Sequence, residues 1–222
     1  MERQDMHPAR DPGLTGVACR VLDDHQCRDL DRLAAAARHM AGPLPPDLCG
    51  LRGSQVRLPH HFDPNDLLPL FPAVRLDRAH RLDSLYWHDG RRVRALVYVR
   101  RRWGGPIFRT GEQYRLVLGT GGLPRLHHLH VARTPAGVMQ CLLLHEVLGR
   151  LHEDGEGGLR DSLVLGDVPG AAPAPLRPRV DLGERGAVVR AWRSSPRTGL
   201  HEVEYALDYG GRCRLLSCTP HP

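Results

Sequence analysis

RLDSLYWHDGRRVRALVYVRRR, residues 81–102, holds two runs of alternating polar and apolar side chains on either side of Asp89-Gly90. A period of two marks strands rather than a helix. An Asp-Gly pair between such runs is a strong signal for a two-residue hairpin turn, because both central positions need positive φ. That turn sets His88 opposite Arg91, Trp87 opposite Arg92, Tyr86 opposite Val93, Leu85 opposite Arg94, Leu82 opposite Val97 and Arg81 opposite Tyr98. Opposed side chains share a face. One face is therefore mostly apolar (Leu82, Ser84, Tyr86, Val93, Ala95, Val97, Val99). The other carries Arg81, Asp83, Leu85, Trp87, Arg92, Arg94, Leu96, Tyr98, Arg100 and Arg102.

The alternation continues outward. Residues 114–118 and 125–132 read as further strands, joined by Gly-bearing turns with no segment long enough for a crossover helix. This predicts an α+β protein with a central antiparallel β-sheet arranged as a meander. Residues 134–154 fit either a capped helix after Thr134-Pro135 or a buried strand over residues 138–144. The strand is favoured, because the turn before it would complete a hairpin with residues 125–132. Upstream, Asp23 with Gln26 three residues on forms a capping-box pattern ahead of Cys27, Leu30, Leu33, Ala37 and Met40. These predict an N-terminal amphipathic helix over residues 24–40, ended by Gly42-Pro43. A short extended piece follows at residues 54–58. Asp63-Pro64 opens a second, short helix presenting Leu67, Leu68, Leu70 and Phe71 until Pro69 and Pro72 stop it.

Downstream, residues 166–179 form a Pro- and Ala-rich linker. Strands are expected at residues 188–193, 200–209 and 213–217, the second with His201, Val203, Tyr205, Leu207 and Tyr209 on one face. The organisation read here is a main α+β domain over residues 1–165, the linker, and a β-rich segment over residues 180–222. That segment is too small to stand alone and packs back on the rest.

Composition narrows the class. The chain has 222 residues, 41% hydrophobic and 25% charged, as an ordinary globular protein does. No apolar run is long enough to cross a bilayer, and residues 1–12 lack the apolar core of a signal peptide, so a cytoplasmic protein with no membrane partner is expected. The six cysteines contain no Cys-x-x-Cys pair and suggest neither a disulfide framework nor a zinc ribbon. All 31 basic residues are arginine, which looks like the codon bias of a GC-rich genome and weakens any argument from net charge alone. Distribution says more. Residues 75–115 hold 11 Arg against 4 acids, while the remainder holds 20 Arg against 21. The same stretch holds six of the eleven aromatic residues.

A basic sheet face with interleaved aromatics can follow a phosphate backbone and stack bases. The leading expectation is a non-enzymatic binding protein that uses Arg92, Arg94, Arg100, Arg102, Trp87 and Tyr98 on a polyanionic partner, with single-stranded nucleic acid as one form and an acidic protein as another. It needs no cofactor. The plain alternative is a solvated or self-covered sheet face on which arginines pack over aromatic rings. A rival expectation is a metal-dependent hydrolase. His128 and His130, two apart on a strand, and His145, brought across a hairpin, would bind zinc or another divalent ion with Glu146 as base. A third is a structural or oligomerising module that exchanges its C-terminal strands. Gly119-Thr120-Gly121-Gly122 lacks the lysine of a phosphate loop, and no nucleophile motif is present.

Overall fold

The computed structural model describes residues 18–52, 56–57, 62–88, 93–103, 126–149, 151, 162–165, 176–195 and 198–221. The fold is α+β, and every strand pairing among the described residues is antiparallel. The strands are β1 (Ala18–Val21), β2 (Val56–Arg57), β3 (Val74–Leu76), β4 (His80–His88), β5 (Val93–Arg101), β6 (Leu129–Val131), β7 (Ser162–Val164), β8 (Arg179–Leu182), β9 (Gly186–Ser195), β10 (Gly199–Asp208) and β11 (Cys213–Pro220). The α-helices are α1 (Asp24–Ala41) and α2 (Pro135–Gly149).

Helix α1 forms where its caps place it. The Asp23 carboxylate accepts from the Gln26 N–H at 2.8 Å and the Gln26 side chain accepts from the Asp23 N–H at 3.0 Å, which satisfies two of the helix's otherwise unpaired donors. Gly42 ends it at φ 66°, a left-handed conformation that glycine adopts without strain. Cys27, Leu30, Ala34 and Ala37 are its buried stripe, while Met40 stays exposed.

Among the described residues the largest sheet is built from β7 to β11, with β1 added at one edge. It has six strands in the order β1-β8-β9-β10-β11, and β9 carries β10 on one edge while its other edge is shared by β8 (at residues 187–190) and β7 (at residues 192–194). The alternation expected on β10 is present, with Val203, Tyr205 and Leu207 buried. Strands β2, β4 and β5 form a second sheet, and β3 pairs with β6. The meander is thus realised most fully by β8 to β11. Residues 114–118 and 166–175 lie outside the described residues.

Three local readings are corrected. Residues 135–149 form helix α2, not a strand. The Thr134 hydroxyl accepts from the Gly137 N–H at 3.1 Å, and Pro135 sits at the start of the helix, where its missing N–H costs nothing. Helix α2 contacts α1, β3, β5, β6 and β8, and every residue from Gly137 to Leu148 except Gln140 is buried. A helix buried on all sides loses the apolar stripe that sequence periodicity detects. Pro69 does not stop the short helix, which is a 3-10 helix running from Pro64 to Leu70. Asp63 caps it, accepting from the Asn65 N–H at 2.9 Å, and Leu67 and Phe71 are fully buried.

The third correction concerns the β4–β5 hairpin. His88 pairs with Val93, Trp87 with Arg94, Leu85 with Leu96, Leu82 with Val99 and Arg81 with Arg100, two residues away from the register of a two-residue turn. Residues 89–92 lie outside the described residues. A two-residue slip preserves the faces, since side chains alternate with a period of two. The apolar face is therefore as expected, and Leu82, Tyr86, Ala95, Val97 and Val99 join the core that includes α2. The slip also has a reason. It sets Leu85 against Leu96, both buried, where the shorter turn would have set Leu85 against Arg94.

Candidate anion-binding groove

The second face of β4 and β5 is less open than its composition suggests. Tyr98 is 2% exposed, and Leu85 and Leu96 are buried beside it. Arg100 forms an ion pair with Asp83, and both side chains are more than four-fifths buried. Trp87 and Arg94 are half-buried cross-strand partners. Arg92 lies outside the described residues. Of the six side chains expected to bind, Arg102 stands clear of the sheet and is exposed.

The three histidines of the rival reading are not drawn together. His128 and His130 are exposed at β6, whereas His145 is fully buried on α2, its Nε2 2.7 Å from the Gly211 carbonyl oxygen. Glu146 is also internal. Its carboxylate pairs with Arg193 of β9 and accepts from the Tyr205 hydroxyl of β10 at 3.0 Å, and the Arg193 guanidinium also bonds the Tyr205 oxygen. Among the described residues no group of three His, Cys, Asp or Glu side chains is arranged to hold a metal ion. His128 instead stacks on His80, with ring centroids 3.8 Å apart and planes 9° from parallel, and takes a positive φ of 60°.

Arginine and aromatic side chains do converge one step away from the sheet face, where the 3-10 helix meets the starts of β3 and β4 and the end of β5. There a groove of about 840 Å³ opens. Its basic side is Arg75 of β3, His80 and Arg81 of β4, and Arg102. Its apolar side is built by Leu68, Pro69, Pro72, Val74 and Leu76, and Trp103 stands beside it 95% exposed.

The groove is held from beneath by Asn65. Its side-chain oxygen accepts from the Leu82 N–H at 2.9 Å and its amide donates to the Leu82 carbonyl at 2.7 Å, so it behaves as a strand neighbour to β4 and fixes the 3-10 helix there. The Arg102 backbone N–H donates to the Ala79 carbonyl at 2.9 Å and its Nε to the His80 carbonyl at 3.3 Å, which ties its stem to the same corner. Arg81 approaches Asp63 at 3.4 Å, an exposed pair that screens one of the cations. Arg75, on β3, pairs across strands with His130.

Two neighbours of His80, Asp77 and His128, have shifted electrostatics. The N–H of Ala79, donating at 2.7 Å, and then His80 hold the Asp77 carboxyl below the usual carboxylate range. Loss of water around its ring, then the neighbouring His80 and His127, push His128 below the ordinary imidazole value. No known protein family, characterised protein or solved structure matches this chain. The groove's chemistry must therefore speak for itself. Three guanidiniums and one carboxylate line it, which favours an anion, and no nucleophile–base pair is among its lining residues.

Sequence reasoning named Arg102 and missed the rest of this constellation. The sequence places Arg81 on the sheet face, includes Arg75 and Trp103 only in the charge and aromatic counts of residues 75–115, and carries no expectation for His80. One usable signal was Arg101-Arg102-Trp103 at the end of β5, where cations and an aromatic follow the last paired residue. No pattern in the chain announced that residues between 63 and 72 would line the same groove.

Proposed function

We propose that this chain is a non-enzymatic binding protein for a polyanionic partner, and that the groove beside β3 and β4 holds the anion. The supporting observation is the convergence of Arg75, Arg81 and Arg102 on one cleft. Guanidiniums suit the task because they stay charged and bind phosphate or carboxylate oxygens in pairs. This keeps the polyanion reading of the arginine-rich stretch while moving its site from the sheet face to the groove.

The test is a fluorescence titration with inorganic polyphosphate and with a fluorescein-labelled oligodeoxythymidylate at 50 and 200 mM salt. Three arginine–phosphate contacts give a slope of about −2 in log K against log salt, so affinity falls about 20-fold over that range. R75S with R102S, at two exposed positions, should weaken both ligands and flatten the slope. An absence of binding at 50 mM salt, or unchanged binding by the double variant, overturns the proposal.

A further inference from the structure

We infer that the polyanion is a single-stranded nucleic acid, with a base stacked on Trp103 and the adjoining phosphates lying among Arg102, Arg81 and Arg75. The inference rests on the groove reading above and adds what that reading leaves unexplained, the apolar half of the site. A cleft for a bare polyanion needs cations and water. This one is lined by Leu68, Pro69 and Pro72 as well as by its arginines, so it offers apolar contact and positive charge within one volume of about 840 Å³. A nucleotide has that same divided chemistry, a planar apolar ring joined to a phosphate.

Trp103 completes the match. Isolated exposed apolar residues are common, and exposure alone would say little. Trp103 is the most exposed large apolar side chain among the described residues, whereas Trp87 and Trp192 are half-buried. It follows two exposed arginines, Arg101 and Arg102, and it lines the groove. An aromatic platform flanked by backbone-binding cations is how single strands are held without reading sequence, since every base has a π face and every linkage a charge. A duplex keeps its bases stacked on each other and offers Trp103 only an end. The ligand class is therefore unpaired DNA or RNA, with little base preference.

The experiment compares four ligands of defined composition by anisotropy or displacement at 50 mM salt: an eight-residue oligodeoxythymidylate, an abasic strand of the same length and charge, inorganic polyphosphate, and thymidine monophosphate. The thymidylate should bind about ten-fold more tightly than the abasic strand. W103A should remove that difference while leaving polyphosphate binding unchanged, and W103F should keep most of it. The side chain is exposed, so the variant tests the ligand and not the fold. Equal affinity for thymidylate and abasic strands overturns the inference, and so does W103A retaining the difference. Monophosphate binding as tightly as the octamer would make the ligand a nucleotide and not a strand. In each of these cases polyphosphate still binds and the groove reading survives. Loss of all four ligands would instead defeat the groove reading itself.

Discussion

The most decisive perturbation of the fold is at Glu146. Its carboxylate and the Arg193 guanidinium form an ion pair with side chains only 8% and 11% exposed, and the Tyr205 hydroxyl, itself fully buried, completes a three-residue network between α2, β9 and β10. Burial and the adjacent Glu146 carboxylate push the Tyr205 phenol far up, so it stays a neutral hydrogen-bond donor. Removing one partner of a buried pair costs about 3–5 kcal/mol, because the other charge is left in a low-dielectric interior. Arg193 keeps the Tyr205 oxygen after E146Q, which places the expected loss near the lower end, about 3 kcal/mol. That is a large part of the roughly 5–15 kcal/mol that holds a domain together. Replacing both partners with apolar residues of similar size, E146L with R193M, removes the desolvation cost with the attraction, so the remaining cost is that of the orphaned Tyr205 hydroxyl, about 1–3 kcal/mol and well below the sum of the single variants. The assay is equilibrium urea unfolding followed by far-ultraviolet circular dichroism, reading the shift in midpoint at constant m-value. The reasoning is refuted if E146Q changes stability by less than about 0.5 kcal/mol, or if the double variant loses the full sum of its single variants.

Gly211 sits at φ 90°, and an alanine methyl there would lie 2.5 Å from the Leu129 Cβ, while its carbonyl takes the His145 bond. G211A should cost about 3 kcal/mol from backbone strain and the disturbed buried hydrogen bond, seen as a lowered thermal midpoint. At pH 8 an aromatic disulfide reagent should modify Cys19, Cys49 and Cys218 quickly, since these are the exposed thiols. Cys141, fully buried with its thiol pushed up to about 12 by desolvation, should react only after denaturation. The lowered imidazole of His128 means that the unfolded chain takes up that proton more readily than the native protein. Its effect is absent well above pH 6.5 and destabilises as pH falls through that value, and the lowered carboxyl of Asp77 adds to the loss as pH falls below about 4. H128G, which also relieves a positive φ, should flatten the stability change between pH 7 and 6, measured by urea titration at each pH.

What could be read in advance follows from how far each signal reaches along the chain. The caps of α1 and the alternation of β10 are local, and both are where the sequence puts them. The faces of the hairpin survived an error in its turn because parity, not register, assigns a strand's sides. Helix α2 was hidden for the opposite reason. It is buried on nearly every side, with His145 and Glu146 inside as well, so its composition shows no apolar stripe of helical period. The charge surplus misled because partners are not neighbours in sequence. Asp83 pairs with Arg100 only once β4 and β5 pair. The groove was illegible on the same ground, since Leu68 and Pro69 meet Arg102 through Asn65's grip on β4 and not through any motif.

The pairing of β1 with β8 bears on how this protein comes into being. Ala18 lies opposite Leu182, and the Leu22 N–H donates to the Pro178 carbonyl at 3.1 Å. Along the chain, both α-helices and six further described strands lie between β1 and its partner β8. The hairpins of β9, β10 and β11 can close on short connections, whereas β1 and β8 close the widest separation in sequence among the described strand pairs. Until they pair, the chain carries an open strand edge and an uncovered core wall, the state in which aggregation competes with folding. The β1–β8 pair thus acts as a clasp, joining the segment before α1 to the sheet that the last four strands build.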